Sequence, residues 1–204
     1  MNIDQFAALI TALSLAILSP GPAIIATIQA AFNHGRGRAL PYALGLGAGA
    51  ALWCLFALAG LAAVFRLHPA LFSALKIFGG LYLFWFAWGL WRASMQDLPK
   101  AAGGASRGFM GGIALNLSNP KPALFYATLI LSVFPGALSL GQQSVIFAVC
   151  LGTELFWYAV VAIAMSTAGA RARYFSAKTW IDRAASVAMA SLGLLLILET
   201  LKGP

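Results

Sequence analysis

The sequence predicts an all-α membrane protein in which six transmembrane helices form two inverted three-helix repeats. Hydrophobic residues make up 61% of the chain and charged residues only 9%, whereas an ordinary soluble domain is about 25% charged. A chain with so few charges cannot cover a protein surface in water. Six long apolar runs predict the six helices, and a Pro-rich motif in each half predicts the repeat. We expect one transmembrane domain over residues 1–204, with repeat one at 1–92, a cytoplasmic linker at 93–107 and repeat two at 108–204.

Six apolar runs are candidates for membrane-spanning helices. Five exceed the roughly 20 residues that a spanning helix needs, and the last is at the lower limit of that range. In order, the runs are Phe6–Ala31, Ala39–Phe65, Pro69–Trp91, Gly108–Phe134, Ser144–Met165 and Ala184–Leu201. The preceding segment Met1–Gln5 has no basic residue and so lacks the basic n-region of a cleaved signal peptide, which predicts that the first run is retained as a helix.

The basic residues predict how the helices are oriented. Nine of the 13 Lys and Arg residues fall in the loops after runs one, three and five, whereas the opposite loops carry only Arg66. The positive-inside rule therefore places both termini outside the bacterial inner (plasma) membrane. These loops also explain the net charge of +8 without a nucleic-acid partner. Asp182 is expected in the last of them. The nine residues are Arg36, Arg38, Arg92, Lys100, Arg107, Arg171, Arg173, Lys178 and Arg183.

Two Pro-rich motifs interrupt apolar runs one and four. Ser19-Pro20-Gly21-Pro22 and Asn119-Pro120-Lys121-Pro122 place their first prolines 100 positions apart. Because proline removes a backbone N–H and clashes with the preceding turn, each motif should break its helix. Broken backbone at membrane depth is tolerated only inside protein or beside water, and matched breaks in two halves indicate a midplane substrate site. The predicted substrate-binding residues in the motifs are Ser19, Pro20, Gly21, Pro22, Asn119, Pro120 and Lys121.

The two halves have the features of an inverted repeat. Each half holds three runs, and an odd number makes the second half enter the membrane from the opposite side. The segment Phe78–Leu83 in the third run also has a loose counterpart in Ser191–Leu196 of the sixth. Chance recurrence of two Pro-containing helices is the alternative.

Three charged residues lie well inside apolar runs, where charge is costly and usually functional. Lys121, in a broken helix, is predicted to bind the substrate carboxylate, or else only to cap that helix. Lys76 either contributes to the substrate site or extends its charge to the outer interface. Glu154 is the deepest carboxylate and is predicted to be the proton-coupling residue, because proton coupling requires a group that titrates. The alternative is a permanently ionised Glu154 paired with Lys76 or Lys121.

Several short motifs occur in order along the chain. They are Ser19-Pro20-Gly21-Pro22, Gly35-Arg36-Gly37-Arg38-Ala39, Leu44-Gly45, Leu75-Lys76-Ile77-Phe78-Gly79-Gly80-Leu81-Tyr82-Leu83, Arg107-Gly108-Phe109 and Asn119-Pro120-Lys121. In this order and over nearly the whole length, the chain resembles the LysE/RhtB family of bacterial amino-acid exporters. The resemblance implies export of amino acids or close derivatives from the cytoplasm, driven by the proton gradient and not by ATP. The chain has no Gly-x-x-x-x-Gly-Lys-Ser/Thr phosphate loop.

The chain departs from the family pattern at two positions. After the first Pro motif, members commonly carry Asn where this chain has Ala23. In the second run they often carry an acidic residue near the position of Ala50. Both departures remove polarity, which favours a neutral or apolar substrate over a cationic one such as lysine or arginine.

The sequence supports other functions less well than export. A membrane thiol–disulfide electron conductor would use Cys54 and Cys150, yet the chain has no Cys-x-x-Cys, and buried cysteines usually behave as small hydrophobes. His34 and His68 fall in loops and form no metal-ligand pattern, so neither an enzyme nor a metal or other cofactor is expected. An uncoupled channel remains an alternative function, because pores also use broken helices. The expected partners are a small amino-acid substrate, protons and the lipid bilayer, and a homodimer is not excluded.

Overall fold

The chain is all-α wherever its structure is described. The computed structural model describes residues 3–18, 21–67, 69–95, 108–134 and 136–201. Within these ranges it contains seven helices and no strand, which confirms the all-α prediction. The helices are α1 (Ile3–Leu18), α2 (Pro22–Leu67), α3 (Pro69–Ala93), α4 (Gly108–Leu117), α5 (Pro120–Val133), α6 (Leu140–Ala164) and α7 (Ala168–Leu201). Most of the predicted linker, from residue 96 to 107, lies outside the described residues.

Helix breaks occur at both Pro motifs. The first predicted run is divided between α1 and the start of α2, and the fourth between α4 and α5. The loop predicted around Arg36 and Arg38 is shorter than expected, because α2 consists of two helices that meet at a kink at Gly35. Only Gly35 leaves helical geometry there, at φ 69° and ψ 176°. That left-handed φ is one that glycine adopts without strain, so the chain changes direction at a single residue.

The last helix starts much earlier than the sequence predicts. α7 begins at Ala168, whereas the sixth apolar run begins at Ala184. The expectation that Asp182 lies in a loop is therefore wrong, and this carboxylate is fully buried. Lys178, one helical turn away, donates to Asp182 Oδ2 at 2.9 Å. A neighbour four residues along a helix can neutralise a buried charge, and the apolar runs alone could not reveal that pairing.

Hydrogen bonds and glycines hold α3 against α7 along most of their lengths. Ser186 Oγ donates to the Ala87 carbonyl at 2.7 Å, and Thr179 Oγ1 donates to the Ser94 carbonyl at 3.1 Å. Further along, a Cβ added to Gly193 would lie 2.8 Å from the Gly80 carbonyl oxygen. The two helices therefore run antiparallel with their backbones in close contact.

Glycines also set the contact between α2 and α4. A Cβ at Gly45 would lie 1.9 Å from the Phe109 carbonyl oxygen, and one at Gly112 would lie 2.1 Å from the Tyr42 carbonyl oxygen. Such close backbone approach is typical of helix packing in lipid, where small residues replace the hydrophobic driving force. One turn after Gly112, Asn116 Nδ2 donates to the Leu46 carbonyl at 2.9 Å.

Two groups of buried apolar residues form the core. The first, which we call the outer cluster, includes Leu9, Leu58, Ile130, Phe134, Ile146 and Cys150. The second, which we call the basic-face cluster, includes Ile24, Ala31, Tyr42, Leu46, Tyr158 and Met165. The basic-face cluster contains the α2 residues on both sides of Gly35, next to the exposed Arg36 and Arg38.

The surface is apolar where a soluble protein would be polar. The exposed fractions of Trp85, Phe156 and Trp180 are 68%, 70% and 73%, while Glu154 and Asp182 are buried inside. Three helical segments in the described ranges are long and apolar enough to cross a membrane, namely Pro22–Gly60, Leu140–Ala164 and Ala168–Leu198. The helices α1 and α4 are shorter apolar helices, as is the α5 segment Lys121–Val133. This distribution suits a lipid surround.

Candidate substrate site

The two helix breaks meet in the interior. Gly21 lies directly before α2, and Lys121 is the second residue of α5. A Cβ added to Gly21 would lie 3.0 Å from Lys121 Nζ and 3.4 Å from its Cδ. The N-termini of α2 and α5 therefore converge, with the Lys121 side chain lying against the backbone of the other break.

Asn119 caps the N-terminus of α5. It has extended backbone at φ −93° and ψ 115°, and its Oδ1 accepts the Lys121 backbone N–H at 3.1 Å. Pro120 follows at the first helical position, where a missing N–H costs nothing because that group has no intrahelical partner. Asn119 therefore provides the side-chain cap for the N–H groups at the start of α5.

The ammonium of Lys121 occupies an electropositive position. Its Nζ lies 5.1 Å from the centroid of the Phe86 ring, a cation–π distance. Helix N-termini carry partial positive charge, which disfavours a cation and attracts an anion. A lysine beside the N-termini of α2 and α5 is therefore well placed to bind a carboxylate, and poorly placed to stabilise the helices themselves.

Glu154 supplies the opposite charge. It lies on α6 with 4% of its surface exposed, and Tyr126 donates its hydroxyl to Glu154 Oε1 at 2.7 Å. Within the described ranges, Lys121 and Glu154 form no direct ion pair, but each lies within electrostatic range of the other. The two opposite charges are thus held apart in one site by their own helices.

A cavity of about 50 Å³ separates these groups. Its walls come from the end of α1, the start and middle of α2, the first half of α5, and α6. The lining residues are Ala16, Ile17, Gly21, Ala23, Ile24, Ala50, Asn119, Lys121, Pro122, Phe125, Tyr126, Glu154 and Tyr158. The cavity is therefore mainly apolar, with an ammonium and a carboxylate among its lining groups.

The structure brings four of the predicted site residues together. Gly21, Asn119, Lys121 and Glu154 all line the cavity. Pro22 begins α2 with its side chain exposed, so it shapes the break without lining the cavity. The predicted site residues Ser19 and Pro20 lie outside the described residues, as do the side chains of Lys76 and Pro120.

Three residues near the site were not predicted from the sequence. Tyr126, five positions after Lys121, hydrogen-bonds Glu154. Tyr158 lines the cavity. Asp182 lies within electrostatic range of Lys121. The spacing of Glu154 and Tyr158, one helical turn apart on α6, was the available signal for Tyr158.

The two cysteines of the rival redox interpretation are neighbours. Cys54 on α2 and Cys150 on α6 are fully buried thiols, and their side chains lie close to each other. Both belong to the outer cluster. The described part of the chain contains no group of three or more His, Cys, Asp or Glu residues that could hold a metal ion.

Comparison with known proteins identifies a family. The family model described as LysE type translocator matches residues 14–200. The threonine efflux protein of Salmonella typhi is 30% identical over 193 residues, which cover 91% of this chain and 93% of that protein. No solved structure matches the chain.

Two further relatives cover shorter parts. The leucine efflux protein of Enterobacter sp. (strain 638) is 31% identical over 147 residues, or 70% of each chain. The homoserine/homoserine lactone efflux protein of Salmonella typhimurium is 37% identical over 127 residues, or 61% of each chain.

Proposed function

The chain belongs to the LysE type translocator family, and from this we propose that it is a secondary transporter that exports amino acids or close derivatives from the cytoplasm. One observation carries the proposal. The ammonium of Lys121 and the carboxylate of Glu154 line one cavity at the meeting point of two broken helices. An amino acid carries a carboxylate and an ammonium itself, so this pair of charges matches its two ends. Membership of this family and the apolar helices long enough to cross a membrane agree with this role.

The substrate carboxylate would bind at Lys121. The N-termini of α2 and α5 meet there, and half-helix N-termini attract anionic substrate groups in other transporters. The substrate ammonium would then face Glu154 and the Tyr126 hydroxyl. This orientation leaves the substrate side chain against the apolar lining formed by residues such as Ile24, Ala50 and Phe125.

The lining favours a neutral substrate. Ala23 and Ala50, the two positions at which the chain departs from the family pattern, both line the cavity. A cationic side chain would add a positive charge beside Lys121 without a second carboxylate among the lining residues. The cited relatives are named for efflux of threonine, leucine and homoserine, which are neutral amino acids.

We propose that the helices form six crossings in two inverted repeats. The pair α1 and α2 up to Gly35 would correspond to α4 and α5, because each pair contains one break at a Pro motif. The α2 segment after Gly35 would correspond to α6, and α3 to α7. The close approach of Gly80 and Gly193 supports this, since these glycines occupy matching positions in the two similar segments and contact each other.

Transport would proceed by alternating access around this site. The cavity of about 50 Å³ has room for a few water molecules at roughly 10–15 Å³ each, but not for a whole amino acid. Substrate binding therefore requires the walls to separate. The first half of α5 and the start of α2 are the walls that carry the substrate-binding groups, so their separation would open the site.

Proton coupling is assigned to Glu154. A carboxylate that faces both the cavity and a tyrosine hydroxyl can exchange a proton when the site opens, and a protonated Glu154 would no longer attract the substrate ammonium. Competition between proton and substrate at one carboxylate is sufficient for antiport. The proposed orientation of the helices follows the positive-inside rule, which puts the Lys- and Arg-rich loops in the cytoplasm and both termini outside the inner membrane.

Reconstituted vesicles test the function. Vesicles loaded with radiolabelled threonine, leucine or homoserine should release it faster when a pH gradient is imposed, and the Lys121→Ala vesicles should not. Uphill movement that collapses when the gradient is dissipated would distinguish a coupled transporter from an uncoupled channel. Equal fluxes from protein-free and protein-containing vesicles for every amino acid tested would reject the proposal.

The rival redox function has one supporting observation, the contact between Cys54 and Cys150. It predicts that a protein with both cysteines replaced by alanine loses its activity. Amino-acid export predicts that the double variant transports normally. A single reporter cysteine in that background would also test the orientation, because Ser139 should react with an impermeant thiol reagent in intact cells and Ala177 should not.

A further inference from the structure

The basic-face side of the core holds a group of buried polar atoms without protein partners. In the described part of the chain, the Tyr42 hydroxyl and Asn116 Oδ1 are buried and accept or donate no hydrogen bond. Both residues are fully buried. Leaving such a group unpaired costs about 1–3 kcal/mol, and buried polar groups in native proteins nearly always have a protein or water partner. Some ligand with hydrogen-bonding capacity is therefore expected here.

Tyr158 connects this group to the substrate site. Its side chain lies beside that of Asn116 and within electrostatic range of Tyr42 and Glu154. It also lines the cavity, one helical turn from Glu154 on α6. The polar atoms thus continue from Glu154 through Tyr158 to Asn116 and Tyr42.

The backbone around Tyr42 fixes the position of these groups. Gly112 lies against the Tyr42 carbonyl oxygen, and Asn116, one turn later on α4, donates to Leu46, one turn after Tyr42 on α2. The α4 helix therefore lies alongside the Tyr42–Leu46 turn of α2. This contact uses the Asn116 Nδ2 group and leaves Oδ1 as the available acceptor.

Of the five unpartnered buried side-chain atoms in the described residues, four belong to residues in or against the basic-face cluster, and the fifth is Arg183 Nε. Two more of them, Trp157 Nε1 and the Tyr174 hydroxyl, belong to residues packed against the basic-face cluster. None of the unpartnered buried atoms of the described residues belongs to the outer cluster. The charged or titratable groups facing Glu154 from neighbouring helices are Lys121, Tyr126 and Cys54.

We propose that Tyr42, Asn116 and Tyr158 form a water-binding pocket that conducts the proton between Glu154 and the basic face of the protein. A buried water typically makes about three hydrogen bonds, and the pocket offers the two hydroxyls and the amide oxygen. The role in proton transfer rests on the proposed function, whereas water binding does not.

The transfer conserves atoms and charge. The O–H bond of protonated Glu154 breaks and its proton bonds to the Tyr158 oxygen or to an adjacent water. That oxygen releases its own proton to the water between Asn116 and Tyr42, which passes one on towards the water outside the exposed Arg36. Each oxygen between Glu154 and the outside water gains one proton and loses one, so the net transfer is one proton.

Radiolytic hydroxyl labelling with mass spectrometry tests the water pocket and needs no transport activity. Radicals formed from bound water should label Tyr42 although it is fully buried. Phe134, an aromatic residue of the outer cluster with 1% exposure, is the matched control and should stay unlabelled. If Tyr42 is labelled no more than Phe134, its hydroxyl pairs directly with a protein group and the pocket is dry, which overturns the proposal.

Transport by Tyr42→Phe tests the proton role. The variant removes one oxygen and should lower gradient-driven transport at least fivefold while substrate exchange at equal pH stays at the wild-type rate. Tyr82→Phe, on α3 outside the pocket, should change neither. Normal gradient-driven transport by Tyr42→Phe, or an equal loss of exchange, would refute proton conduction. Absence of exchange by the wild-type protein would refute amino-acid transport. The labelling result would still show whether the pocket holds water.

Discussion

The Lys121 ammonium lies in the space that a side chain at Gly21 would need. A Cβ there would be 3.0 Å from Nζ, closer than ordinary van der Waals contact. Because Gly21 and Lys121 lie at the two helix breaks, the absence of one side chain lets a charge from the second break reach the first. The site is therefore built jointly by two segments that are distant in sequence.

Gly21→Ala should weaken substrate binding without unfolding the protein. The added methyl group meets the flexible end of the Lys121 side chain, which can move, so we expect the KM for export to rise severalfold with little change in thermal stability. Gly152→Ala is the matched control, since nothing lies within 4 Å of a Cβ at that glycine. An unchanged KM in Gly21→Ala would show that the position of the ammonium does not matter.

Lys121→Ala should abolish export while the protein stays folded and inserted. The side chain makes a cation–π contact with Phe86, which is worth about 0.5–2 kcal/mol, so its loss should be tolerated. Lys121→Arg should keep part of the activity, because the guanidinium preserves the charge but not its geometry. Export and expression level are measured together, and near-normal export by Lys121→Ala would disprove its role.

Much of the site could be predicted from the sequence because it depends on local rules. Paired prolines predict helix breaks from backbone geometry alone, and helices do end or begin at both motifs. Lys121 and Glu154 were identified because charges inside apolar runs are rare. These signals need no knowledge of which helices are neighbours.

The residues that the sequence did not reveal depend on tertiary contacts. Asp182 is buried because α7 extends back to Ala168 and because Lys178 bonds both Asp182 and the Ala93 carbonyl on α3. Tyr126 and Tyr158 are ordinary aromatics until the fold places the Tyr126 hydroxyl against Glu154 and the Tyr158 side chain beside Asn116. The kink within α2 at Gly35 likewise depends on backbone angles that composition does not specify.

Gly112→Ala should destabilise the protein more than most single changes of this size. The new Cβ would lie 2.1 Å from the Tyr42 carbonyl oxygen, a backbone atom that cannot move without separating α2 from α4. Overpacking of this kind costs about 1–3 kcal/mol. Thermal unfolding in detergent should show a clearly lower midpoint than Gly89→Ala, which adds its Cβ where nothing lies within 4 Å. Equal midpoints would show that the two helices can separate freely.

Asp182→Asn should destabilise the contact between α3 and α7. Removing one member of a buried ion pair leaves the other charge uncompensated, at a cost of about 3–5 kcal/mol. Replacing both charges, as Lys178→Gln with Asp182→Asn, should recover much of that loss, because no buried charge remains. The measurement is a double-mutant cycle of unfolding free energies. Additive effects of the two single changes would show that the pair is not coupled.

Glu154→Gln should separate substrate exchange from proton coupling. Glutamine keeps the size of the side chain and an oxygen that can accept the Tyr126 hydroxyl, so the hydrogen bond seen at 2.7 Å can persist. It cannot release a proton or carry a negative charge. We therefore expect exchange of labelled for unlabelled substrate at equal pH to continue with a higher KM, because Lys121 still binds the substrate carboxylate while the substrate ammonium loses its partner. The part of the efflux that depends on the pH gradient should be lost.

A structural ion pair predicts a different set of results for the same variant. If a permanently charged Glu154 balances Lys121, then Glu154→Gln leaves the ammonium unpaired and should lower the unfolding midpoint, and Glu154→Gln with Lys121→Met should restore it. If Glu154 carries the proton, Glu154→Gln alone is stable, because Lys121 and Glu154 form no direct ion pair in the described part of the chain. Tyr126→Phe is the matched control, since it removes the hydrogen bond but leaves the carboxylate, and should retain gradient-driven efflux at a reduced rate. Efflux by Glu154→Gln that responds to the pH gradient as the wild type does would exclude this residue as the proton carrier.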